Sequence, residues 1–286
     1  MLTAPRRDMP PIITLTTDFG RQDGYVGAMQ GVILSICPST QLVNISHDIP
    51  PQDIRAAAFV LYQAFSYYPA QTIHCVVVDP GVGSNRRAIA VRTSHGIFVG
   101  PDNGVFSLAL TAVPVNVIEA VTLTNADYQL PGVSATFHGR DIFAPAAAHL
   151  ANGTPLSQFG PRAINLVRLD FEPRISNPGP SDGQSKIPPE HDVQNQECRV
   201  MHIDRFGNLI LNLTRHDIED PEQILFTVGN QVIKSLSSTF ADVEEGQLLV
   251  YTGSSRDHIE IAVRNGNAAQ QLGLQVGDVV NVSTEA

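Results

Sequence analysis

Short apolar runs alternate with stretches of helical period through the first half of the chain. Residues 12–17 form a β-branched run ending at Asp18-Phe19-Gly20, which predicts a strand leading into a turn. Residues 24–37 carry apolar positions at helical spacing and stop before Pro38, and 41–46 predict a second strand. From Pro51 to Tyr68, the positions Ile54, Ala58, Leu61 and Phe65 share one helical face, with Pro69 as the stop. The strongest buried-strand signal is 72–78, which ends at Asp79-Pro80-Gly81. Further strands are predicted over 88–92, 96–99 and 115–119, and helices over 103–110 and 140–151. Strands separated by helices predict an α/β fold for residues 12–171, layered around a mainly parallel sheet. Ligands collect at the carboxyl ends of such strands, where Asp18 and Asp79 lie.

The pattern changes after residue 171. Residues 172–192 are rich in Pro, Ser, Gly and charge, and predict a linker or surface loop. Residues 193–286 then show short strands at 198–203, 209–213, 223–228, 247–251, 258–263 and 279–282, with one helical stretch at 267–271. This predicts a smaller C-terminal β domain of barrel-like type.

Composition narrows the function classes. A chain of 286 residues with 43% hydrophobic and 16% charged residues has the material for two folded domains. Its net charge of −10 repels polyphosphate, so no nucleic-acid partner is expected. Cys37, Cys75 and Cys198 match no metal-ligand or redox spacing, and a sparse, odd count fits a reducing compartment. Residues 1–11 are followed by no apolar stretch of signal-peptide length, and no stretch is long enough to cross a bilayer. The expected location is cytoplasmic, with no membrane partner.

Four polar clusters interrupt the apolar pattern. Thr17-Asp18-Phe19-Gly20, with Asp23 close behind, offers a strand-end carboxylate able to accept two hydrogen bonds from a ribose diol. It reads equally as an Asx turn with Asp23 capping the next helix. Asp79-Pro80-Gly81-Val82-Gly83-Ser84-Asn85-Arg86-Arg87 is neither a P-loop nor a full dinucleotide fingerprint, and competes with a plain glycine turn. In Phe137-His138-Gly139-Arg140-Asp141, the histidine precedes a helix start, which favours its neutral form. A metal reading would use His138, Asp141 and His149. The fourth cluster, Asp204-Arg205-Phe206-Gly207-Asn208, has the composition of a hairpin turn.

Taken in order, the segments T-D-F-G, D-P-G-V-G, G-P-D-N-G-V, F-H-G-R-D-I-F-A-P, I-D-R-F-G-N and G-N-A-A resemble the SAM hydroxide adenosyltransferases, S-adenosylmethionine (SAM) hydrolases related to fluorinases and chlorinases. The resemblance implies hydrolysis of SAM to adenosine and methionine; because no convincing metal-ligand set stands in the sequence, neither a metal nor a cofactor is expected. It also implies a homotrimer that binds the substrate between subunits. It assigns water activation to Asp79, Arg86 and His138, the seven-residue step from Asp79 selecting Arg86 over Arg87. It places Asp18 on the ribose hydroxyls, Asp23, Asp204 and Ser255 near the methionine part, and Asn208 on the adenine edge. The halogenases carry other residues where this chain has Asp79 and Val82, and a carboxylate there disfavours a halide. A metal-dependent nucleoside or nucleotide hydrolase, and a non-catalytic SAM- or adenosine-binding protein, stay open as alternatives.

Overall fold

Side chains that alternate across the central strands feed two separate cores. In β3 (Ile73–Val77), Ile73, Cys75 and Val77 face one core, while Val76 and the following Val78 face the other. β5 (Ile97–Pro101) divides likewise, with Ile97 and Val99 on one side and Phe98 on the other. This period-two sorting requires cover on both faces of the sheet. One face is covered by α1 (Tyr25–Ile36) and α4 (Ala144–Ala151), and the other by α2 (Ile54–Ala64) and α3 (Ser107–Thr111).

The computed structural model describes residues 10–112, 114–171 and 196–284. The chain divides into two compact units, Met1–Asp170 and Phe171–Ala286. The expected linker at 172–192 lies outside the described residues.

The first unit is completed by β1 (Ile12–Thr17), β2 (Gln41–Ser46), β4 (Ala88–Thr93) and β6 (Val117–Thr122), in sheet order β2-β1-β3-β5-β4-β6. Only β4 runs against the others, being antiparallel to both β5 and β6. The mainly parallel α/β expectation holds.

Local chemistry sets the helix boundaries. α2 begins at Ile54 rather than at Pro51 because the Asp53 carboxylate accepts the Ala56 N–H at 2.9 Å, making it the N-cap. Asp23 does not cap α1, whose N-cap is Gly24 without a side-chain bond. The helix expected over 140–151 opens with a wide π turn, Gly139–Phe143, before α4. Pro145 has no N–H to give the Asp141 carbonyl, which accepts from Leu130 N–H at 2.9 Å instead.

His74 lies fully buried in the second core. Its Nδ1 is 2.9 Å from the Thr14 hydroxyl and its ring stacks on Phe98 at 5.2 Å. Burial pushes its pKa down to about 3.

The second unit contains β7 (Gln196–Ile203), β8 (Leu209–Thr214), β9 (Ile224–Val228), β10 (Gln231–Lys234), β11 (Leu248–Thr252), β12 (His258–Val263) and β13 (Val279–Thr284). All pair antiparallel in the order β10-β9-β13-β7-β8-β12-β11. A bridge from Ser237, beyond β10, to Tyr251 in β11 nearly closes the sheet into a barrel. Its interior holds Leu209, Leu211, Phe226, Ile259, Ile261 and Val280. The expected helix near 267–271 is α5 (Ala268–Leu272), capped by the Asn267 side chain on Gln270 N–H.

Candidate active site

The site in the first unit is assembled where β1 and β3 end. Beyond β3 the chain turns tightly. Val82 N–H bonds the Asp79 carbonyl at 3.1 Å, Ser84 N–H bonds the Gly81 carbonyl at 3.1 Å, and the Ser84 hydroxyl accepts Arg86 N–H at 3.2 Å. Gly83, at φ +78°, passes so close to Ala135 that a Cβ would stand 2.6 Å from its carbonyl oxygen. This approach brings the 79–86 turn against the segment that carries His138.

Arg86 joins the two. Its Nε lies 3.0 Å from both Asp79 carboxylate oxygens, and its Nη2 reaches Oδ2 at 2.5 Å. The same Nη2 meets His138 Nδ1 at 2.7 Å. The Asp79 and Arg86 side chains are 5% and 11% exposed, so little water screens the pair. Arg87 turns away, binding Asp102 and the carbonyls of Ile164 and Asn165. The two adjacent arginines therefore have separate tasks.

The Arg86 contact fixes the histidine's tautomer. A guanidinium only donates, so His138 Nδ1 must accept, and in the neutral ring the proton then sits on Nε2. Burial and the nearby Arg86 charge lower the His138 pKa, against smaller opposing effects of Asp79 and Asp141. Asp141 is committed elsewhere: its carboxylate accepts Ser134 N–H at 2.8 Å and Arg140 Nε at 2.6 Å. Burial opposes its ionisation, but these bonds outweigh that and hold its pKa below the ordinary carboxylate value.

Asp18, Asp79 and His138 line one cavity of about 380 Å³, within the usual size range of small-ligand pockets. Asp18 is half-buried, and its Oδ2 accepts Gln52 N–H at 2.8 Å. Phe19, Tyr25 and Phe137 add an aromatic wall, with ring centroids 5.3–5.8 Å apart. Sequence reasoning missed this wall and Gln52, although Phe19 and Phe137 sit inside the quoted motifs. Asp23 is exposed and does not line the cavity.

In the second unit, the Asp204–Asn208 turn joins β7 and β8 as a hairpin, as its composition predicts. Asp204 Oδ1 accepts the N–H groups of Phe206 and Asn208, both at 2.9 Å, and Oδ2 accepts the Asn208 side-chain amide at 2.9 Å. Ser255 is buried between β11 and β12. The structure thus brings Asp18, Asp79, Arg86 and His138 together in one unit, and Asp204 with Asn208 in the other.

A strand-end pocket with an Asp–Arg–His chain on an α/β sheet is suited to orienting water against a small bound substrate. The SAM hydroxide adenosyltransferase N-terminal domain family matches residues 13–160, and the C-terminal domain family matches 198–281. The chain belongs to the SAM hydroxide adenosyltransferase family. It is 42% identical over 275 residues to the (R)-S-adenosyl-L-methionine hydrolase of Salinispora tropica, covering 96% of this chain and 98% of the relative. Its identity to the Thermus thermophilus protein of the same name is 37% over 276 residues, covering 94% and 98% of the two chains. An uncharacterized conserved protein from Thermotoga maritima has a crystal structure that superposes with a TM-score of 0.82 at 34% identity, covering 95% of this chain and 99% of that one.

Proposed function

We propose that this protein hydrolyses S-adenosyl-L-methionine, with water attacking ribose C5′ in line with the C5′–S bond to give adenosine and L-methionine. The observation that carries the reading is the Asp79–Arg86–His138 chain in a pocket shared with Asp18. The sulfonium leaves as a neutral thioether, so the leaving group needs no protonation. The work that remains is to hold and orient water, a task that can supply about 7–11 kcal/mol.

Roles follow from donor and acceptor chemistry. Arg86 has no basic atom and fixes Asp79 and the His138 ring. His138 presents Nε2–H and has its other nitrogen occupied by Arg86, so it holds the water oxygen by donating to it. Asp79 keeps carboxylate lone pairs beyond those taken by Arg86 and receives the water proton as the new C5′–O bond forms. Asp18 grips the ribose hydroxyls with the oxygen that Gln52 does not orient. By the resemblance, Asp23, Asp204 and Ser255 serve the methionine part and Asn208 the adenine edge. A halide at Asp79 would face a carboxylate, whereas water does not meet that repulsion.

No metal takes part in this mechanism. The carboxylates nearest His138 are bound by Arg86 and Arg140, and among the described residues no group of three or more His, Cys, Asp or Glu could hold an ion. The family resemblance further supports a homotrimer with substrate at the subunit interface, and the sparse cysteines fit a cytoplasmic location. Light scattering behind size-exclusion chromatography tests the trimer. No described helix is long and apolar enough to cross a membrane.

The deciding experiment incubates metal-stripped protein with SAM in ¹⁸O-enriched water and reads products by mass spectrometry. Adenosine labelled at the 5′ oxygen, together with methionine, is the expected result. Restoration of a lost activity by added metal would defeat the metal-free mechanism, and bound but unconverted SAM would leave a binding protein.

A further inference from the structure

His47, just beyond β2, belongs to none of the sequence motifs, yet it is only 3% exposed and touches the Asp18 turn at two points. Its backbone carbonyl accepts Gly20 N–H at 2.8 Å, where Gly20 takes φ +67°. Its ring Nδ1 lies 2.9 Å from the Thr17 hydroxyl, and that hydroxyl accepts Phe19 N–H at 3.3 Å. Five residues further along the same loop, Gln52 N–H binds the Asp18 carboxylate itself. One loop therefore fixes the residues on both sides of Asp18 and one of its oxygens.

The other ring nitrogen, Nε2, is buried and has no hydrogen-bond partner among the described residues. Packing alone does not call for an imidazole here, because an apolar side chain would fill the space without burying an unsatisfied nitrogen. The atom that distinguishes His47 from a hydrocarbon is Nδ1, and its contact is Thr17. Neither His47 nor Thr17 lines the cavity.

We propose that His47 is a positioning residue for substrate binding: through Nδ1 and Thr17 it sets the angle at which the Asp18 carboxylate meets the ribose hydroxyls. The inference rests on the reading of Asp18 as the residue that holds the ribose. It makes a distinction that packing would not. Asparagine places its amide where Nδ1 stands, whereas glutamine carries its amide out to the position of Nε2. His47→Asn therefore preserves the function, and His47→Gln loses it.

The test measures kcat and KM for His47→Asn, His47→Gln, Thr17→Val and Asp18→Asn, with SAM and with an analogue lacking both ribose hydroxyls. Losing one oriented hydrogen bond is expected to raise KM for SAM about tenfold in His47→Gln and Thr17→Val, with kcat changed less than about threefold. His47→Asn is expected to stay within about threefold of the parent protein, and the penalties are expected to vanish with the analogue. Equal penalties on both substrates, or an unchanged KM in Thr17→Val, would overturn the proposal. Thr17→Val is nearly isosteric and carries the test if His47→Gln does not fold. Asp18→Asn separates the two levels. If it raises KM while His47→Gln and Thr17→Val do not, only the role of His47 fails. If it has no effect, the ribose reading of Asp18 fails.

Discussion

Replacing His74 with leucine and Thr14 with valine is expected to flatten the response of stability to acid. His74 is fully buried, its bond to Thr14 is internal to the core, and burial lowers its pKa from 6.5 to about 3. Between these values the unfolded chain binds a proton that the folded chain refuses, so stability rises with pH across the window. It is fully present above about pH 6.5 and drains away as pH falls toward 3, at about 1.4 kcal/mol per pH unit. Taking the parent protein from pH 7 to pH 5 therefore costs about 2 kcal/mol through this one ring. Removing both partners of the Thr14–His74 bond, rather than one, leaves no orphaned polar atom behind. Urea unfolding followed by circular dichroism at pH 5, 6 and 7 gives the comparison directly. The double variant is expected to lose about 2 kcal/mol less than the parent over that range. Parallel stability curves would show that His74 is not excluded from protonation in the folded state, and would refute the argument.

Asp79→Asn keeps the shape of the side chain but removes the charge held by Arg86 and the atom that receives the proton. Its kcat is expected to fall by about 10²–10⁴-fold while SAM affinity by calorimetry changes little. The acid limb of the kcat/KM profile is expected below pH 6.5, because burial and Arg86 favour neutral His138, and protonating Nδ1 would break its bond to Arg86. Activity is then full at neutral pH and lost on acidification, and a limb above 6.5 would contradict this assignment. Gly207→Ala would place a Cβ 2.1 Å from the Asn267 side chain at φ +85°. A cost of about 1–3 kcal/mol, read by thermal unfolding, is expected at the hairpin that carries Asp204 and Asn208.

Periodicity made both cores legible, because a strand such as β3 must alternate between two covered faces and its apolar run says so. It carries no information about direction; the reversal of β4 is written instead in its three-residue connection to β5, too short for a parallel crossover. β10 was missed because its short sequence is mostly exposed and imposes little pattern. The π turn at Gly139–Phe143 depends on Pro145 in combination with Leu130, a partner distant in sequence. At the site, the resemblance named Asp79, Arg86 and His138 and chose Arg86 over Arg87, and the structure adds what Arg87 does instead, which is to bind Asp102. Asp23 is close to Asp18 in sequence but is exposed and does not line this cavity, so its place near the methionine part rests on the resemblance alone. His47 left no trace in the motifs, because an isolated histidine after a strand has no spacing to mark it.

The contact between Arg86 and His138 spans 52 residues of chain, and β1 must pair with β3 through partners such as Ile13 and Ile73. Neither can form by local zipping, since each requires closing a long loop before it returns any stabilisation. The reactive arrangement is therefore expected to form late in folding. A nascent or partly refolded chain can contain helices and still lack it. During refolding from urea, recovery of SAM cleavage will trail recovery of helical signal, and the interval between them times the closure of the sheet.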